Sequence, residues 1–188
     1  MGMTNSYSEA FQWLISNRQS DRAYKTTPIE QEKIDRIIQA ARLSPSACNA
    51  QPWKFIVVND PELKNKIADT TSSKILGMNH FTKQAPVHIV IIMEGANLTS
   101  NFGSLVKGKT FPLIDIGIAA ENICLAAKAE GLGSCIIGWF DEPQVKKLLE
   151  IPKSRRVPLI ITLGYPDRQD IREKKRKEKS EVLSYNKY

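Results

Sequence analysis

The chain has 188 residues, 41% of them hydrophobic and 25% charged, with a formal net charge of +7 at pH 7. That is the composition of one globular domain with a real core, and it excludes a disordered polypeptide. The longest apolar runs, Val87–Met93 and Val157–Leu163, are too short to span a bilayer, and the three cysteines and two histidines lack the spacing of a disulfide framework or a metal site.

Met1–Ser8 is polar, without a charged-then-apolar leader, so a cytoplasmic protein is expected and no membrane partner. A short amphipathic helix is predicted over Tyr7–Ser16, carrying Phe11, Leu14 and Ile15. Directly after it comes Arg18-Gln19-Ser20-Asp21-Arg22. Read as extended chain, this places Arg18, Ser20 and Arg22 on one side. Two guanidiniums flanking a hydroxyl suit phosphate, because Arg offers paired donors to phosphate oxygens. A solvated turn in which Asp21 pairs with a neighbour is the other reading of the same residues.

A second amphipathic helix, Glu30–Leu43, presents Ile34, Ile37, Ile38 and Ala41. It leads into the most informative stretch, Arg42–Trp53, and from there into a predicted strand at Lys54–Val58. Pro45 and Pro52 stiffen this connection, and Ser44, Ser46, Asn49 and Gln51 supply short polar groups. Such a loop can present hydrogen bonds to a planar ligand, although the same residues also make ordinary turns. Cys48 within it is expected to be a small packed side chain rather than a reactive thiol.

Further helices are predicted at Pro61–Thr70, Phe111–Glu130 and Glu142–Leu149, and strands at Val87–Met93, Ser134–Gly138 and Leu159–Leu163. Asp60-Pro61 and Asp141-Glu142-Pro143 mark helix starts. The near-continuous β-branched runs suit a sheet covered by helices on both faces. No linker divides the chain, so residues 1–188 read as a single domain with 167–188 a basic tail. The segment Asp115–Ala129 is rich in small residues and apolar almost all round, as expected of a central helix in a monomer's core or at a dimer seam. The tail segment Arg172–Lys179 holds a net charge of +4. No aromatic residue is interleaved with these cations for base stacking, so no nucleic-acid partner is expected.

Four stretches in order carry a resemblance: Arg-x-Ser-x-Arg at 18–22, Ser-Pro-Ser-Ala-Cys-Asn-Ala-Gln-Pro-Trp-Lys-Phe at 44–55, Ala-Glu-Gly-Leu-Gly-Ser-Cys-Ile-Ile-Gly-Trp-Phe at 129–140, and Leu163-Gly164-Tyr165-Pro166 followed by the basic tail ending Tyr185-Asn186-Lys187-Tyr188. Together they resemble the nitroreductase family of FMN-dependent oxidoreductases, over nearly the whole chain apart from Glu94–Thr110. The resemblance implies an α+β fold layered α/β/α, with a central mixed, mostly antiparallel sheet flanked by helices. It also implies a homodimer with FMN at the subunit interface, and NADH or NADPH as co-substrate.

By the same resemblance, Lys174 and Arg176 share one face of an extended segment and join Arg18, Ser20 and Arg22 at the FMN phosphate. Gln19 is assigned to the pyrimidine edge of the ring, a neutral side chain where the family often carries a basic one. Pro45, Ser46, Ala47 and Asn49 are assigned to the isoalloxazine or ribityl region, contributed by the partner subunit, and Gln51 follows from the same loop. Ile136, Ile137 and Gly138 match a strand end whose backbone approaches the ring near its reactive nitrogen, where a missing Cβ permits close approach; the two isoleucines could equally be core. No catalytic side chain and no metal are implied. The implied reaction is ping-pong hydride transfer from NAD(P)H to small nitroaromatic, quinone or related electron-poor acceptors. Glu94–Thr110 offers a short cover over the flavin, and Phe102, Phe111 and Trp139 are candidates for the acceptor pocket. Dehalogenation or flavin fragmentation on the same fold is the alternative chemistry, and a basic anion- or nucleic-acid-binding module is a third reading.

Overall fold

A computed structural model describes residues 3–72, 78–95, 110–168 and 170–188, with side chains from residue 6 onward. Helix α1 (Met3–Asn17) precedes α2 (Gln31–Arg42), and a 3-10 turn at Ala47–Asn49 leads into strand β1 (Trp53–Val58). Helix α3 (Pro61–Thr71), a 3-10 segment at His80–Gln84 and strand β2 (Val87–Met93) follow. The second half runs α4 (Phe111–Ala129), β3 (Gly133–Ile137), α5 (Glu142–Leu148), β4 (Arg156–Gly164) and a last turn, α6 (Lys179–Val182). The acid-proline starts act as the sequence implied. The Asp60 carboxylate accepts from Leu63 N at 2.7 Å and that of Asp141 from Gln144 N at 3.0 Å, in each case at a helix with Pro in its first turn.

The four strands form one sheet in the order β1-β2-β4-β3, every ladder antiparallel. The parallel component is an isolated bridge between Ser20 and Ser134, at the free edge of β3. Between Ile91↔Leu159 and Met93↔Arg156 the register slips by one residue on β4, where Pro158 lacks the N–H a regular ladder needs.

Strand alternation sorts the side chains into two cores. On one face Val87, Ile89, Ile91, Ile161 and Leu163 pack with Ile34, Ile37 and Ala41 of α2 and Ile116, Ala120, Ile123 and Ala127 of α4. On the other, Val90, Ile92, Cys135, Ile137 and Ile160 meet Ile67 of α3 and Val145 of α5. Burying each large aliphatic here contributes about 1.5–3 kcal/mol, which makes these two layers the main source of stability. Helices therefore cover both faces, the α/β/α layering that the resemblance implied.

Candidate functional site

Segment 18–24 leaves α1 and lies along the edge of the sheet. Asp21 N donates to Ser134 O at 2.9 Å, and the Tyr24 hydroxyl donates to Asp21 O at 2.8 Å while meeting Thr162 Oγ1 at the same distance. Gly133 is required at this contact, because a Cβ there would stand 2.7 Å from Asp21 Oδ2. The Asp21 carboxyl is thus packed against β3, and burial pushes its pKa up despite a hydrogen bond from Gln19.

The tail returns to the same place from the other end of the chain. Residues 170–178 form no regular structure. Arg172 donates from N at 3.1 Å and from Nε at 3.3 Å to Gln19 Oε1, and from Nη2 at 2.5 Å to Ser20 O. Lys174 donates to the carbonyls of Arg18 and Ile15. These ties create a cavity of about 270 Å³ lined by Arg18, Gln19, Ser20, Arg22, Arg172, Glu173, Lys174, Lys175 and Arg176. A neighbouring cavity of about 220 Å³ shares Gln19, Ser20, Arg22 and Arg172 and adds Asp21, Ala23, Arg168 and Asp170.

Six cations surround the first cavity against Glu173, with Glu121 pairing Arg18 at 3.1 Å from α4. Arg18 Nε is buried with no hydrogen-bond partner. Desolvation and the charges of Arg18 and Arg176 hold the Lys174 ammonium below the usual lysine range. The cradle is a concentration of positive charge.

The proline loop is fixed by its own polar groups and by α4. The Ser46 hydroxyl accepts from Gln51 N at 2.9 Å, and Gln51 Nε2 reaches Asn49 Oδ1 at 3.2 Å. Asn122 donates to the Ser44 hydroxyl at 2.7 Å, and Ala47 N donates to both carboxylate oxygens of buried Asp115 at 3.2 and 3.3 Å. Cys48, Asn49 and Gln51 all take positive φ, of 51°, 51° and 46°. Three non-glycine residues in the left-handed region within four positions is a strained loop of the kind that clusters at ligand sites. Contrary to the expectation of a packed thiol, Cys48 is exposed.

Of the sequence candidates, Arg18, Gln19, Ser20, Arg22, Lys174 and Arg176 come together around one cavity. Pro45, Ser46, Ala47, Asn49 and Gln51 lie in the loop against α4 and do not line it. At the strand end Ile137 is buried core, whereas Ile136 is 39% exposed and nothing lies within 4 Å of where a Gly138 Cβ would stand. Trp139 lines a different cavity, of about 1030 Å³ between α3 and α5, with Lys66, Asp69, Thr70 and Phe140 among its neighbours. Phe102 and most of the cover segment, 96–109, lie outside the described residues.

Arg172, Glu121 and Asp115 were not singled out by the sequence. The alternation that pairs Lys174 with Arg176 extends to Arg172, so that signal was available. For Asp115 and Glu121 there was only the oddity of acids on an otherwise apolar helix.

The nitroreductase family model matches residues 15–78 and 72–165. A protein of Archaeoglobus fulgidus named NADH dehydrogenase/NAD(P)H nitroreductase is 33% identical over 85% of this chain and 88% of its own length. The solved structure of an FMN-dependent nitroreductase from Clostridium difficile R20291 is 31% identical, with a TM-score of 0.70 over 93% of this chain and 98% of that one. Iodotyrosine deiodinase 1 of Rattus norvegicus is 28% identical over 86% of this chain and 64% of its own length. Matching in sequence from α1 through β4 and in the layering of its sheet and helices, the chain belongs to the nitroreductase family.

Proposed function

We propose that this protein is an FMN-dependent oxidoreductase that takes a hydride from NADH or NADPH and reduces nitroaromatic, quinone or related electron-poor acceptors. It would work as a homodimer with FMN at the subunit interface. The observation that carries the reading is the meeting of both ends of the chain in one cationic cavity, through contacts 152 and 156 residues apart in sequence.

The residues fit the cofactor's anionic end. A phosphate monoester carries about −1.5 to −2 charges near neutral pH. Arg18, Arg22, Lys174 and Arg176 supply the opposing charge, the Ser20 hydroxyl a further donor, and the partnerless Arg18 Nε a donor already desolvated. Asp21 lines the adjoining cavity and not this one, which leaves Glu173 as the acid of the lining against six cations. When bound, FMN would supply the two-electron chemistry, leaving the protein to bind, orient and shield.

The strained loop, with Pro45, Ser46, Ala47, Asn49 and Gln51, would meet the isoalloxazine or ribityl region from the partner subunit. The strand end, with Ile136 and Gly138 exposed and Ile137 turned into the core, would offer backbone to the ring. The surface supports a second copy of the chain. Ile114 and Ile118, one turn apart on α4, are 53% and 37% exposed on either side of Gly117, and Tyr7, Phe11 and Ile15 form an exposed stripe on α1. No side chain is needed as nucleophile, and one site serving two ligands in turn gives ping-pong kinetics.

The purified full chain should be yellow and release FMN on denaturation. Anaerobic mixing with NADH and NADPH should bleach the flavin, and a nitroaromatic or quinone should restore it. A colourless protein that takes up no FMN overturns the proposal. The deiodinase relative supports dehalogenation as the second reading, and an iodinated phenol in the same acceptor screen separates the two.

A further inference from the structure

We infer that Arg172 is a specificity residue for the phosphate monoester of the cofactor, and that Gln19 is the positioning residue that holds it in place. The inference rests on the flavin reading above. Both ends of the Gln19 amide are engaged by the protein: Oε1 accepts from Arg172 N and Nε, and Nε2 donates to Asp21 Oδ1 and to Asp170 O, each at 3.1 Å. A side chain so fully committed is a clasp for the tail rather than a reader of the ring, which revises the pyrimidine-edge role the resemblance implied for it.

What the clasp presents is a guanidinium. Arg172 Nε and Nη2 are fixed on Gln19 and the Ser20 carbonyl, while Nη1 meets no protein oxygen among the described residues. Arg172 also lines both cavities, so it stands on the wall between them. A residue at position 19 with its own positive charge would put a flexible cation here. Gln19 instead recruits one from 153 residues away, accepting from its main-chain N and its Nε, while the Ser20 carbonyl takes Nη2. A planar guanidinium with two of its nitrogens fixed has lost most of its freedom before the anion arrives, so less is lost on binding.

The test is equilibrium binding of FMN and of riboflavin to the full-length apo-protein, followed by quenching of flavin fluorescence. Riboflavin lacks the phosphate, so the ratio of the two affinities reads the contact in question and is insensitive to general loosening. Arg172→Gln should weaken FMN about tenfold or more, as expected for one charge-assisted hydrogen bond, and shift riboflavin less than about twofold. Gln19→Leu should lower the same ratio by a smaller factor, and by a smaller factor still when added to Arg172→Gln, because part of its effect runs through Arg172. Arg172→Lys should recover part of the ratio.

An unchanged FMN-to-riboflavin ratio in Arg172→Gln overturns the inference, as does an equal loss for both ligands. These outcomes leave the flavin reading standing if the wild-type protein binds FMN. If it binds neither flavin, both fall together.

Discussion

Tyr24→Phe isolates the strut that holds the basic segment to the sheet. Tyr24 is 5% exposed, and its hydroxyl joins the Asp21 carbonyl and Thr162 Oγ1, both at 2.8 Å. The substitution leaves the ring in place, so no large cavity opens. It does strip the Asp21 carbonyl of its tyrosine donor, and Thr162 keeps only a long contact to Cys135 O, at 3.4 Å. One net hydrogen bond contributes about 0.5–1.5 kcal/mol, and a buried group left unsatisfied costs about 1–3 kcal/mol, so the variant should lose about 1–3 kcal/mol. For a chain of this length that lowers Tm by about 2–4 °C per kcal/mol. The assay is urea unfolding of apo-protein by circular dichroism at one fixed protein concentration, since bound FMN or dimerisation would move the midpoint by mass action. Thr162→Val completes a double-mutant cycle, in which the double variant should lose less than the two single losses added together. A Tyr24→Phe loss below about 0.3 kcal/mol, or strict additivity, would refute the strut.

Arg18→Ala with Arg22→Ala should yield mostly apo-protein, measured as the flavin-to-protein absorbance ratio after gel filtration, and full retention would mean the phosphate end is misplaced. His88 should steepen the acid limb of stability. Burial first, and then Lys64, lower its pKa to about 4, while neither ring nitrogen has a partner of normal geometry. The unfolded chain therefore takes up this proton first, near pH 6.5, so the contribution of neutral His88 is intact above that pH and is lost as pH falls toward about 4, by up to about 1.4 kcal/mol per unit. His88→Leu should flatten that limb in urea midpoints measured from pH 7.5 to 4.5, and an unchanged slope would exclude His88 as its source. Ile118→Glu places a charge on the exposed flank of α4. It should leave the monomer folded but shift sedimentation from dimer to monomer, and a dimer that persists unchanged would place the seam elsewhere.

Much of the architecture was legible because it is local. The Val87–Met93 run was read with its observed bounds, and Asp60-Pro61 and Asp141-Glu142-Pro143 marked helix starts that the structure retains. The order β1-β2-β4-β3 could not be read from the runs, since continuous apolar strands do not encode their neighbours, and the resemblance implied only a mixed, mostly antiparallel sheet. The left-handed turn at Cys48, Asn49 and Gln51 was hidden because non-glycine residues rarely go there without outside support. That support comes from Asp115, 68 residues away. For the same reason the Gln19–Arg172 clasp was invisible: nothing in the local pattern around Gln19 says that its amide is claimed by the tail.

Helix α4 touches the basic segment and the proline loop of one subunit at once, through Glu121 to Arg18 on one side and through Asp115 and Asn122 to the loop on the other. A single helix therefore bears on two fixtures that otherwise meet only through the sheet, the basic segment at β3 and the loop at β1. Neither fixture can be retuned alone by a change that bends or slides the helix, so an engineer wishing to move one must leave residues 115–122 in place and redesign only the far ends. Transplanting the loop to another scaffold would require carrying this beam along with it.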